Sequence, residues 1–286
     1  MSVFAPDTVE AATSLLVEHP GATLLGGGTD LMVEINDGHR RPETAVVAVN
    51  RIPELRSWRH DPVGATVTIG AGVTYSELMV DPLASLLPAL AEASRTVGSP
   101  QIRNAGTLGG NLGTCSPAGD GLPVLAALEA VVEIAGPSGR RSLPVGEFML
   151  GVKQNALTPG ELIIAVTVPV VGGWQGYAKV GVRNAMVIAV ASAALVLDQT
   201  RRTVRIALGS VGPTVLRCPD AEAQLAGGLD WASLSTSDAV VQRFGELVSE
   251  ASSPITDHRS TADYRRHSVG VLARRLARRA EVGGAA

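Results

Sequence analysis

Residues 101 to 123, QIRNAGTLGGNLGTCSPAGDGLP, combine a paired glycine, hydroxylated side chains and a lone acid, Asp120. This composition suits a backbone wrapped closely round a charged, planar cofactor, because Gly109 and Gly110 lack the Cβ atoms that would block the approach. A second loop, LLGGGTDL, has the same character across Leu24, Leu25, Gly26, Gly27, Gly28, Thr29, Asp30 and Leu31. Either loop alone is ordinary turn chemistry in a chain holding 32 glycines. The pair reads as two walls of one site. A pyrophosphate needs convergent N–H donors, which Gly26 to Asp30 offer from one side and Gly109 to Asn111 from the other. Asp120 fits the fixed acceptor that sugar hydroxyls require.

Other site templates fail on spacing. Neither GGGTDL nor GAGVTY (70 to 75) supplies the third glycine of G-x-G-x-x-G, and no G-K-[ST] triplet occurs. Ser116 lacks the G-x-S-x-G frame of a nucleophile elbow. His19, His39, His60, His258 and His267 are scattered among polar neighbours and read as solvated or capping groups. Cys115 and Cys218 are too few and too far apart for an iron–sulfur cluster or a structural zinc site, so this chain alone supplies no metal centre. With no lysine or second cysteine beside it, Cys115 reads as a small buried side chain.

The 286 residues are 45% hydrophobic, and a mean hydropathy of +0.22 describes a folded globular protein. A net charge of −3 and a pI near 6.0 leave no basic field for nucleic acid. The longest apolar stretch, Ala185 to Leu197, is shorter than the roughly 20 residues that cross a bilayer as a helix and reads as a buried strand. The N-terminus shows no charged region followed by an apolar one, so the expectation is a cytoplasmic protein without a membrane span.

Asp7 and Glu10 give a D-x-x-E helix start, and the helix runs to about His19, where Pro20 and Gly21 end it. A strand over 22 to 26 delivers the first glycine loop at its carboxyl end, with Thr29 or Asp30 entering the next helix. With a strand over 44 to 50, residues 1 to about 55 make a small αβαβ unit. A strand begins at Ala65. TYSEL and Leu83 to Arg95 read as helical, and the TLGGN loop comes next. A hairpin turns at GPSG (136 to 139) and a strand spans 161 to 170. Pro169, Gly172 and Gly173 mark a boundary, giving domains 1–172 (subdomains about 1–57 and 58–172) and 173–286. Beyond it, WQGYAKVGVR, VIAVASAALVLD and TVRIALGSVG read as three strands of one antiparallel sheet. Helices follow near 219 to 226, 236 to 251 and 261 to 279, the last with arginines off its apolar stripe. That stripe of arginines is either a solvated face or a docking surface. The class is α+β. Lys179, between Tyr177 and Arg183, reads by default as an exposed edge residue. If a flavin is bound, a lysine at its N1/O2 edge stabilises the anionic reduced ring.

GGGTDL, IGAGVTYSEL (69 to 78), GSPQIRNAGTLGGN with PAGD, the G-R-x-L-P-x-x-x-F segment ending at Phe148, GYAKVGVR, IALGSV and DHRSTADYRR (257 to 266) run nearly the whole chain. Through them the sequence resembles the FAD-binding medium subunit of the molybdenum hydroxylases, the xanthine dehydrogenase and aerobic carbon monoxide dehydrogenase type. The resemblance implies a two-subdomain FAD-binding domain of the vanillyl-alcohol-oxidase (PCMH) type, followed by a smaller domain with a three-stranded antiparallel sheet and helices. It assigns Leu24 to Leu31 to the FAD pyrophosphate and ribityl chain, and Thr107, Gly110, Asn111, Gly113 and Thr114 to the opposite wall. Asp120 and Lys179 become further FAD contacts, with Ile163 as an apolar one.

The resemblance also implies partners, a large molybdopterin subunit and a small subunit with two [2Fe–2S] clusters, as a dimer of heterotrimers (a heterohexamer). Electrons reach this flavin and leave for NAD⁺, oxygen or a quinone. The two cysteines depart from relatives with an extra cluster, and Gly28, Cys115 and Gly121 are unusual choices. The alternatives are a self-sufficient FAD oxidase, for which the chain is short of a substrate-capping domain, and a non-catalytic assembly or sensor protein that has lost FAD.

Overall fold

A computed structural model describes residues 2–39 and 44–283. Its N-terminal unit contains β1 (Ser2–Phe4), α1 (Val9–Glu18), β2 (Thr23–Leu25), α2 (Leu31–Asn36) and β3 (Ala45–Ala48). The strands form a parallel sheet in the order β1-β3-β2. β3 is central and buried, as its unbroken AVVA run requires. The unit therefore has one strand more than the expected αβαβ, because the edge strand SVF is too short and exposed to announce itself. Helix α1 is capped by Thr8, whose side chain accepts from the Ala11 N–H, and not by Asp7.

The second unit is built on an antiparallel sheet of β4 (Trp58–Asp61), β5 (Thr66–Gly70), β6 (Val131–Gly136), β7 (Gly139–Pro144) and β10 (Leu162–Pro169), in the order β4-β5-β10-β6-β7. Strand β10 is covered on both faces. Ile163, Val166 and Val168 enter the main core, while Leu162 and Ile164 join Val9, Val47, Ile52 and Leu55 beneath the N-terminal unit. Between β5 and β6 lie six short helices: α3 (Tyr75–Leu78), α4 (Leu83–Leu86), α5 (Pro88–Arg95), α6 (Pro100–Ala105), α7 (Leu108–Thr114) and α8 (Gly121–Ala127). The helix expected over Leu83 to Arg95 breaks at Leu87, since Pro88 has no N–H to continue it. One turn, α9 (Val145–Phe148), then leads into a hairpin of β8 (Met149–Gly151) and β9 (Gln154–Asn155).

The C-terminal sheet has four antiparallel strands, not three: β11 (Gly173–Val180), β12 (Ala191–Asp198), β13 (Thr203–Gly209) and β14 (Leu216–Arg217). The extra strand is two residues long, too short to alternate visibly. The apolar stretch from Ala185 becomes strand only at Ala191, and Met186 and Ile188 stand exposed in the loop before it. Side-chain alternation gives this sheet two buried faces. Tyr177, Ala194, Val196 and Ala207 complete the main core, and Ala193, Leu195, Leu197, Ile206 and Leu208 pack against α10 (Pro219–Gly228), α11 (Asp238–Ala251) and α12 (Ala262–Gly283). The expected α+β class is the one observed.

Candidate functional site

The two glycine loops meet. Leu24 and Leu25 end β2, half-buried Gly26 to Thr29 turn into exposed Asp30, and half-buried Leu31 begins α2. A Cβ on Gly27 would lie 1.8 Å from the Ala105 carbonyl oxygen, so the loop backbones touch and only glycine fits. Gly28 takes φ +73, the left-handed region. Opposite, Thr114 Oγ1 donates to Asp30 Oδ2 at 2.8 Å. Asp30 occupies the cap position of α2 without capping it, because its carboxylate faces across the cleft instead. The hairpin tip closes one end, with Lys153 Nζ 2.6 Å from Glu34 and Asn155 Nδ2 donating to the Gly113 carbonyl at 2.8 Å.

The donor inventory differs between the walls. No backbone N–H from Gly26 to Asp30 bonds an acceptor among the described residues. On the opposite wall the N–H groups of Gly109, Gly110 and Asn111 go to Ala71 O, Thr107 Oγ1 and Thr107 O, so the expectation of backbone donors there is corrected. The cause is that TLGGNLGT is not a loop. It is a helix capped by Thr107 and anchored through buried Leu108 and Leu112 at i, i+4. That wall instead presents exposed Gly110 and Gly113, the half-buried Asn111, and Thr114. Asn111 Oδ1 is held by the Gly121 N–H at 3.2 Å. Ile163 lies in the main core under this helix, 6% exposed.

Asp120 and Lys179 form the charged end of the site. The Lys179 ammonium donates to Asp120 Oδ2 at 2.6 Å, to Thr96 O at 2.9 Å and to Val187 O at 3.1 Å. Lys179 therefore sits on the edge strand β11 as expected, but its side chain is buried with all three donors engaged, so the expected exposure is corrected. Asp120 also accepts from the Tyr177 hydroxyl at 2.7 Å. It is thus a member of a Tyr177–Asp120–Lys179 network, not a free acceptor. Burial pushes its carboxyl above the ordinary range, and Lys179 and Tyr177 pull against that.

Two tyrosines escaped the sequence reading. Tyr177 carries a network bond, and Tyr75 is buried within the field of both Asp120 and Asp30. Burial first, then these two carboxylates, raises the Tyr75 hydroxyl far above its ordinary value, so it stays protonated. The signal was present in IGAGVTYSEL, where Thr74 caps α3 in a capping box with Glu77 and so fixes the tyrosine after it. Beside Lys179 runs a groove of about 640 Å³ lined by Arg95, Arg103, Arg183 and Met186 among others. The Cys115 thiol, 3% exposed, is pushed up by burial, in keeping with a packing residue.

The candidate site thus combines open N–H groups on one wall, a glycine-faced helix on the other and a buried charged pair. Residues 1–171 match the FAD-binding domain of molybdopterin dehydrogenases, and residues 177–280 match the carbon monoxide dehydrogenase flavoprotein C-terminal domain. The chain belongs to this family of FAD-binding oxidoreductase subunits. It is 34% identical to the carbon monoxide dehydrogenase medium chain of Hydrogenophaga pseudoflava over 277 residues, 95% of this chain and 93% of that one. It is 33% identical to the nicotine 6-hydroxylase medium subunit of Paenarthrobacter nicotinovorans, covering 95% and 94%. Among solved structures, Hydrogenophaga pseudoflava carbon monoxide dehydrogenase lacking the Mo-pyranopterin moiety superposes with a TM-score of 0.89 at 33% identity, covering 99% and 98%. Quinoline 2-oxidoreductase from Pseudomonas putida 86 gives 0.90 at 25% identity over the same shares.

Proposed function

We propose that this chain is the electron-transfer flavoprotein subunit of a molybdenum hydroxylase complex. In this reading FAD lies between Leu24–Leu31 and the wall of Thr107, Gly110, Asn111, Gly113 and Thr114. The observation that carries it is the run of unpaired N–H groups from Gly26 to Asp30 beside a second wall without side chains at Gly110 and Gly113. The open donors receive the pyrophosphate. Asp120, Tyr177 and Lys179 would set the charge beside a bound ring, with Ile163 in the apolar core behind it. Bound flavin supplies the exchange between one-electron and two-electron carriers. A carboxylate and two carbonyls hold the Lys179 side chain in one position there.

The partners in this reading are a large molybdopterin subunit and a small subunit with two [2Fe–2S] clusters, assembled as a dimer of heterotrimers in the cytoplasm. The name medium chain borne by the relatives supports partners of both sizes. The acceptor is NAD⁺, oxygen or a quinone. The chain divides into FAD-binding residues 1–172 and a C-terminal domain from 173. The test is to add FAD to the purified chain, desalt, and record the visible spectrum before and after dithionite. A retained band that bleaches is the expected result. Absence of flavin both in the chain alone and in any complex it forms would overturn the reading.

A further inference from the structure

Helix α12 carries a stripe of exposed Arg275, Arg279 and Val282 and half-buried Val271, Arg274 and Arg278, at spacings that place all six on one face. With Trp174 and Val241 of α11 it lines a groove of about 1100 Å³. The four guanidinium groups are not equivalent. Arg278 pairs with Asp238 and Glu281 of its own chain. Arg279 pairs with Glu92 and lies 5.7 Å above the Trp174 ring. Arg274 and Arg275 have no hydrogen bond or ion pair among the described residues. Arg274 acts on Glu246 only through space, and that carboxylate is bound by Gln242 and Arg243. Helices α11 and α12 touch backbone to backbone at Gly245 and Gly270, so side chains at those positions would force them apart.

We propose that this groove, centred on Arg274 and Arg275, docks an acidic amphipathic helix of a partner subunit; the inference rests on the multi-subunit reading above. Charge complementarity selects the occupant. Two cations without a hydrogen-bonded or ion-paired acid, Arg274 attracted to Glu246 only through space, on a chain of net charge −3 call for carboxylates at one point and do not form the extended basic track that nucleic acid needs. The apolar wall of Trp174, Val241, Val271 and Val282 calls for apolar side chains on the same segment, and a trough between two helices accepts a third helix by its apolar face.

The test is a tagged chain purified with its partner subunits, compared with an Arg274→Glu/Arg275→Glu variant and an Arg274→Lys/Arg275→Lys control. The expected result is that the Glu variant loses one partner, with a dissociation constant at least about tenfold weaker, while it keeps its flavin and its melting temperature. The Lys control stays assembled, and raised salt releases the same partner from the native complex. A Glu variant that co-purifies with both partners in native proportion overturns the proposal and leaves the functional reading intact. A native chain that binds neither partner overturns both.

Discussion

At single residues the site makes opposed demands on its glycines. Gly27→Ala drives a methyl into the Ala105 carbonyl, so the loops must part. The expected cost is about 1–3 kcal/mol of stability, with loss of retained flavin, measured by melting and by the visible spectrum. Gly113 has nothing within 4 Å of a built Cβ and sits in helix α7. Gly113→Ala therefore stabilises the flavin-free chain by about 0.5–1 kcal/mol, yet weakens FAD binding if that open space belongs to the cofactor. A variant that gains stability and binds FAD as before would remove Gly113 from the site. The Asp120–Lys179 pair gives a second residue-level prediction. Lys179→Met leaves a buried carboxylate without its cation and should cost about 3–5 kcal/mol. Adding Asp120→Asn should recover part of the loss, which denaturant titration of the single and double variants would read. The residues alone left Lys179 as an exposed edge residue, and only the family resemblance set it beside Asp120 as a FAD contact; their direct partnership stayed hidden because the contact joins residues 59 apart. No local pattern encodes such a partnership.

Among the elements, those with a strong period were legible: the buried strands β3, β10 and β12 and the helices α11 and α12 stand within a few residues of where the pattern puts them. Short or exposed pieces were not. β4 is exposed throughout, so WRHD has no buried face to alternate with. α7 contains three glycines, and its helical state comes from the Thr107 cap and the burial of Leu108 and Leu112. The connections between elements hold acid-sensitive staples. Arg141 on β7 binds Glu161, just before β10, through two contacts of 2.6 and 2.7 Å. That bond, against burial, and the Thr158 N–H bring the Glu161 carboxyl from 4.5 down to about 2. Burial pushes the Asp257 carboxyl up, but the Arg259 N–H, the Arg265 guanidinium and the Ser260 N–H outweigh it and hold it at about 2. Arg265 is itself buried and reaches Val190 O and Ser210 O, so the DHRSTADYRR segment ties α12 to the C-terminal sheet. Both carboxyls sit below their unfolded values. Their stabilisation is full above the unfolded pKa and fades as the pH falls toward 2. Glu161→Gln should lower the melting temperature at pH 7 and flatten its acid limb. An acid limb identical to that of the native chain would show that the staple carries no linkage.

For the whole molecule, the decisive feature is that the boundary expected at residue 172 falls within a shared core. Tyr177, Ala194, Val196 and Ala207 of the C-terminal sheet belong to the same buried cluster as Leu90, Leu108, Leu122 and Val166. Polar ties cross at the same place: Tyr177 and Lys179 to Asp120, Arg279 to Glu92, Arg205 and Arg217 to Glu129, and the Ser210 N–H to the Pro117 carbonyl. Separately stable domains meet through more polar and less continuous surfaces. The chain should therefore unfold in one calorimetric transition, with the calorimetric and van't Hoff enthalpies equal. A fragment ending at residue 172 leaves the faces of α5 and α8 in water and strips Asp120 of Tyr177 and Lys179. It should aggregate or melt well below the full chain, and it should not retain FAD even though it contains both glycine loops. Two resolved transitions, or a fragment that binds FAD as tightly as the full chain, would show that the second domain is an addition to the flavin site. The expected result makes the C-terminal sheet one of its walls.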